Sequence, residues 1–222
     1  MAALNDLHTS RMLLDEMSFR LQNGIPFGYV KCGDGELFCM QGVVGENCDH
    51  HPYSPELAQA LRDAFEYLKT DPYVRIVHWH DQECYQSLLH YVTQDREMVM
   101  RFWQSVREAD AKKIYVGPER MAGAANMLHA IHVRIPLVNA FQSYELIRQD
   151  LRYEYVPGAI YVFTAGMSAK VWIADLWRRY KGVTCIDAGS ALDPIFVGNT
   201  RTGQLEQSEV RRWYASWLNG SL

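Results

Sequence analysis

The chain predicts an α/β fold: a Rossmann-like, mostly parallel sheet with helices on both faces, in a single domain. Three observations carry this expectation. Short apolar runs of strand length recur along the chain, at 74–79, 113–116, 134–138, 159–164 and 183–187, after a first strand that runs from Phe27 into Gly33. Stretches with apolar residues at helical spacing separate them, which implies right-handed crossovers and a sheet covered on both faces. No repeat, low-complexity segment or linker interrupts the 222 residues, a length that one α/β domain fills. The expected division is an N-terminal helix over 1–24, a Rossmann-like core over 25–200 and a C-terminal helix over 201–222.

Each element has a local cause. Residues 4–22 carry apolar side chains at helical spacing and stop at Asn23-Gly24, where glycine suits a left-handed cap. Ser54-Pro55-Glu56 opens a helix to about residue 69, with Ser54 as N-cap and proline at the first helical position. Helical patterning follows at 83–91 and 96–109, then near 122–130 and around 144–151. A helix at 168–180 lies between the last two strands, and 205–218 reads as a terminal helix.

The formal charge of -4 and the isoelectric point near 6.1 provide no global attraction to nucleic acid or anionic lipid. No run of 18 apolar residues predicts a membrane span, and the first residues lack a signal-peptide pattern, so a cytoplasmic location is expected. The five cysteines are odd in number and contain no Cys-x-x-Cys pair. That argues against a disulfide framework or thiolate zinc site and for reduced, mostly buried thiols.

In an open parallel sheet, ligands collect beyond the carboxyl ends of the strands, and the chemistry-bearing residues fall there. Asp34 and Glu36 follow the first strand, His80 and Asp81 the second, Gly117 to Arg120 a third, Thr164 to Ser168 another, and Asp187 to Ser190 the last. Two carboxylates two residues apart, in Gly33-Asp34-Gly35-Glu36, can turn toward one hard cation that also grips substrate phosphates. The same residues also suit a plain turn. Thr164-Ala165-Gly166-Met167-Ser168 joins strand to helix through small residues, so backbone N–H groups can approach an anion. The alternative is a tight turn with Ser168 as N-cap. Neither a Walker loop nor a dinucleotide fingerprint is present, and Lys170 replaces the last glycine of a hydrolase elbow.

Arg120 matches phosphate oxygens with a charge that does not titrate. Glu119 either orients Arg120, holds a ribose or sugar hydroxyl, or complements a helix start. His78, His80 and Asp81 fit a transition metal, an acceptor contact or strand-end packing, and Asp81 is the preferred general base. Trp79, on the opposite face, is expected in the core. His50-His51, before Pro52, reads as a loop that covers the ligand.

Taken together, Gly33-Asp34-Gly35-Glu36 after the first strand, Ile114 to Arg120 in mid-chain, and Val162 to Lys170 leading to Cys185 to Ser190 resemble the GT-D type glycosyltransferases. The resemblance covers about residues 25 to 200. It implies an Asp-x-Glu element that holds Mn2+ or Mg2+ on the diphosphate of a UDP-sugar, with Asp34 and Glu36 at the matching positions. Joined to the residue readings above, the expected nucleotide contacts are Gly33, Gly117, Glu119, Arg120, Thr164, Gly166, Ser168, Asp187 and Ser190, and the expected catalytic residues are Asp34 and Asp81. The expected reaction moves glucose or a related hexose to an acceptor hydroxyl on a glycan or a hydroxylated DNA base. Two rivals stand beside it: a metal-dependent hydrolase of nucleotides or phosphoesters, and a nucleotide-sugar binding protein without turnover.

Overall fold

A computed structural model describes the backbone of residues 2–47, 50–81, 88, 96–198, 200 and 212. Six strands form one sheet: β1 (Gly28–Cys32), β2 (Val74–His78), β3 (Lys113–Pro118), β4 (Ile131–Ile135), β5 (Ile160–Phe163) and β6 (Thr184–Asp187). Their spatial order is β2-β1-β6-β5-β3-β4, and every pairing is parallel. The residues of β1, β5 and β6 are buried throughout, which is why these strands read as largely apolar runs, broken by Lys31, Thr184 and Asp187.

Helices α1 (Ala2–Gln22), α2 (Asp34–Met40), α3 (Pro55–Leu68), α4 (Arg96–Glu108), α5 (Ala122–Met127), α6 (Tyr144–Tyr153), α7 (Ser168–Arg179) and α8 (Asp193–Phe196) surround the sheet. Apolar clusters cover both sheet faces, and a smaller third one joins Cys39, Leu61 and Val171 of α2, α3 and α7. Of the first two, one joins Leu14, Val99, Phe102 and Trp103 of α1 and α4 to Ala124 and Ala125 of α5 and to the sheet face bearing Tyr29, Tyr115 and Ile186. The other joins Ala64, Ile147, Trp172, Ile173 and Trp177 of α3, α6 and α7 to the face bearing Val30, Val116 and Phe163. The chain therefore leaves β3 toward one face, through α5, and leaves the adjacent β5 toward the other, through α7. Diverging connections above neighbouring parallel strands open a crevice at their carboxyl ends.

Several local expectations are met. Ser54 caps α3, its hydroxyl accepting from the Leu57 N–H at 3.1 Å, with Pro55 at the first position. Cys32, Cys39 and Cys185 are free and buried, and burial pushes the Cys32 thiol up to about 12.

Others are corrected. The fourth strand spans Ile131–Ile135 instead of 134–138. Pro136, which has no N–H to offer the ladder, ends it, and Val133 and Ile135 supply the buried alternation. The turn expected at Asp34 is the start of α2, whose first turn holds both carboxylates, where negative charge is favoured. Trp79 is not core: it is 44% exposed. Ser168 does not cap α7; Met167 occupies that position without a side-chain cap bond, and Ser168 is buried in the first turn. The helices expected at 83–91 and 205–218 lie outside the described residues, apart from Leu88 and Arg212.

Candidate functional site

A cavity of about 630 Å³ opens at the carboxyl edge of the sheet, a size suited to a small-molecule ligand. Its floor is a buried charge cluster that ties three strand ends together. Lys170, in the first turn of α7, places Nζ 2.7 Å from Oε1 of Glu36 and 2.9 Å from Oδ2 of Asp187, and donates to the Gly166 carbonyl at 3.1 Å. All three ammonium hydrogens have acceptors. Asp187, at the end of β6, also accepts from the Lys31 backbone N–H at 3.1 Å, between residues 156 positions apart. Glu36 accepts from the Gly33 N–H at 2.9 Å through Oε2.

Glu36, Lys170 and Asp187 are 6%, 4% and 0% exposed. Burial alone would raise the Glu36 carboxyl, but the Lys170 ammonium and the Gly33 N–H outweigh it and hold the group below the usual carboxylate range. One atom of the cluster stands apart: Asp187 Oδ1 is buried and has no hydrogen-bond partner among the described residues.

The walls come from several loops. Gly166 adopts φ +55°, a left-handed conformation that turns the chain from β5 into α7 and sets the first N–H groups of a 12-residue helix at the cavity. Across it lies the loop closed by the antiparallel bridge between Glu46 and Pro52. His51 Nδ1 accepts from the Asn139 N–H at 3.3 Å, so a neutral ring carries its hydrogen on Nε2. That Nε2 lies 3.3 Å from where a side chain on Gly166 would begin. The loop expected to cover the ligand thus reaches the Gly166 turn. Arg120, after β3, Trp79, after β2, and Ser190, after β6, complete the wall segments that matter here.

The expected site residues separate into two groups. Asp34, Glu36, Arg120, Thr164, Gly166, Asp187 and Ser190 line the cavity. Gly33, Gly117, Glu119, Ser168 and Asp81 do not. Gly117 packs under Thr164 and Tyr115, whose hydroxyls lie 2.6 Å apart, and has no room for a side chain. Glu119 neither orients Arg120 nor faces the cavity; it pairs with Arg134 at 2.7 Å on the surface. His78 and His80 stack at 5.3 Å on the exposed edge, and Asp81 closes a turn through its N–H on the His78 carbonyl. The second strand end thus contributes Trp79 in their place.

Lys170, Lys31 and Trp79 were not anticipated at the site. Lys170 had a readable signal, because a lysine inside the apolar run Ala169-Lys170-Val171-Trp172 requires a buried acidic partner.

The donor set bears on the implied divalent metal. Among the described residues, no three His, Cys, Asp or Glu side chains gather into a metal group. Both Glu36 oxygens are engaged, and a cation touching Oε1 would crowd the Lys170 ammonium. The pair does not fit a two-carboxylate clamp. Asp34 fits a single-carboxylate contact: it is exposed at the cavity, with Oδ1 accepting from the Gly35 N–H at 2.8 Å. Mg2+ is commonly held by one or two carboxylates together with substrate phosphates.

No protein-family model matches the chain, and no curated protein matches it. A solved structure, described as the highly conserved domain of unknown function 1792 with a distinct glycosyltransferase fold, superposes with a TM-score of 0.54. The match spans 84% of this chain and 82% of that one, at 18% identity. The fold is glycosyltransferase-like. No helix among the described residues is long and apolar enough to cross a membrane.

Proposed function

We propose that the cavity binds a nucleotide sugar, with UDP as the nucleotide, and transfers its hexose to an acceptor hydroxyl on a glycan or a hydroxylated DNA base. The observation that carries this reading is the position of the cavity: at the carboxyl edge of a glycosyltransferase-like sheet, between the Gly166 turn and Arg120.

The helix-start N–H groups after Gly166 and the Arg120 guanidinium cradle the diphosphate, and stabilise charge as it develops on the departing nucleotide. The buried Lys170 cluster fixes the three strand ends, so these donors are held in place before the ligand arrives. Asp34 is the residue that would hold Mn2+ or Mg2+ beside the diphosphate, and such an ion would neutralise the leaving group. The His51 loop shields the reacting bond from water, which favours transfer over hydrolysis.

Of the two rivals, the hydrolase reading loses its motivating residues, since His78, His80 and Asp81 are not among the residues that line the cavity. A binding protein without turnover differs from a transferase in product formation. The test is UDP release from a panel of UDP-hexoses, with and without glycan and hydroxymethylated-DNA acceptors. Release that rises with acceptor supports transfer, release independent of acceptor supports hydrolysis, and binding without release supports a sensor.

A further inference from the structure

We propose that Asp187 Oδ1 is the acceptor for a hydroxyl group of the bound nucleotide sugar, and so a specificity-determining atom of the site; this rests on the nucleotide-sugar reading above. The Asp187 side chain is completely buried, lies at the end of β6 and lines the cavity. Its two oxygens have opposite fates. Oδ2 takes the Lys31 N–H at 3.1 Å and the Lys170 ammonium at 2.9 Å, which pins the carboxylate. Among the described residues, Oδ1 has no hydrogen-bond partner. A carboxylate oxygen removed from water without a hydrogen bond is destabilising, and native proteins rarely leave one so unless a ligand or an ordered water completes it.

The chemistry of the missing partner follows from what surrounds it. Lys170 already offsets the carboxylate charge, and its ammonium sits 2.9 Å from the sibling oxygen, so a second cation would meet repulsion there. The Lys31 side chain runs beside Gly189, two residues on from Asp187, with Nζ 3.3 Å from where a side chain there would start. A neutral donor carries no such penalty. Hydroxyl groups are the neutral donors that a nucleotide sugar offers in number, on the hexose and on the ribose. A charge-assisted bond to a rigid buried acceptor discriminates strongly against an analogue lacking the hydroxyl, because the oxygen is then left unpaired.

The test is isothermal titration with UDP-glucose, UDP-deoxyglucose analogues lacking one hydroxyl each, UDP, and 2′-deoxy-UDP. Probes are titrated into the wild-type protein and Asp187→Asn. Asn keeps the shape and can still present an oxygen to Lys31 and Lys170 while turning its amide toward the cavity. In the wild type, one deoxy probe is expected to bind at least tenfold more weakly than its parent. A deoxyhexose assigns the partner hydroxyl to the sugar and 2′-deoxy-UDP assigns it to the ribose. In Asp187→Asn the parent should lose a similar factor and the deoxy probe little, so that the two converge.

Wild-type affinities that vary less than twofold across the deoxy series overturn the proposal, as does an Asp187→Asn protein that still discriminates. If that variant fails to fold, the wild-type series alone decides. Failure of the underlying reading has a different signature: no UDP-sugar, parent or deoxy, binds the wild-type protein.

Discussion

Lys170 Nζ lies 2.7 Å from Oε1 of Glu36, joining the start of α7 to the start of α2 inside the protein, where both side chains are less than a tenth exposed. The carboxylate that the Asp-x-Glu spacing marks for metal is therefore spent on a neighbour. Breaking such a pair by removing one partner leaves an uncompensated buried charge, which typically costs about 3–5 kcal/mol. Lys170→Met is expected to lose stability in that range by urea denaturation. Because Lys170 compensates both Glu36 and Asp187, Lys170→Met with Glu36→Gln should recover part of the loss; a double variant no more stable than Lys170→Met would deny the coupling.

The same pair makes a pH prediction. The folded Glu36 carboxyl titrates below its unfolded counterpart, whose usual value is about 4.3, because Lys170 and Gly33 favour the charged form. On acidification the unfolded chain takes up its proton first. The stabilisation is thus complete above the unfolded value and is lost as the pH falls through the folded one. Denaturant midpoints measured from pH 6 down to pH 3 should fall for the wild type, and the fall should be shallower in Glu36→Gln.

Asp34 and Glu36 should separate in a metal titration. Asp34→Asn is expected to fold normally and to lose the cooperativity between Mn2+ and UDP, since its carboxylate is exposed at the cavity. Glu36→Gln should show the reverse: lowered stability, with the mutual enhancement of Mn2+ and UDP largely retained in the folded protein. Thermal shifts with each ligand alone and together measure both, because a ligand selective for the folded state raises the melting temperature. Equal loss of coupling in the two variants would restore the two-carboxylate clamp.

How much of this was legible in the sequence depended on range. Ser54-Pro55 announced α3 because the cap and the first-turn proline are local chemistry. The strand ends carrying Thr164, Gly166, Asp187 and Ser190 line one cavity, and their convergence is readable because a parallel sheet puts such ends on one edge. The β4 register slipped because Leu137 and Val138 extend the apolar run past Pro136, and hydropathy alone does not weigh a missing N–H. The Lys31–Asp187 and Lys170–Glu36 contacts join distant segments, beyond the reach of any periodicity. His78, His80 and Asp81 looked catalytic by residue type, yet β2 is an edge strand and only Trp79 turns to the cavity.

Gly166→Val should damage UDP binding far more than Ser168→Ala. At φ +55° a β-branched residue is strained, and its side chain would start 3.3 Å from His51 Nε2, filling the space between the loop and the turn. Ser168 is buried in the first helical turn without capping α7, so losing its hydroxyl should change UDP affinity less than about threefold. Calorimetric dissociation constants for UDP compare the two, and equal losses in folded proteins would remove the Gly166 turn from the phosphate site.

Trp79 and Asp81 provide the last contrast, because they are two residues apart and the structure gives them different surroundings. The Trp79 indole is 44% exposed on the cavity wall, at the end of an edge strand, edge-on to the His80 ring. Flat aromatic faces suit the C–H faces of sugars and the planes of bases, so Trp79→Ala is expected to weaken UDP-glucose or acceptor binding about tenfold. Asp81 lies in an exposed turn and is not among the cavity-lining residues, so Asp81→Asn should keep transfer within about threefold of wild type. A positioned general base contributes typically about a hundredfold or more. Steady-state transfer rates on both variants therefore decide between them: a collapse in Asp81→Asn with normal UDP-glucose affinity would return the base to Asp81, and unchanged affinities in Trp79→Ala would take the indole out of the site.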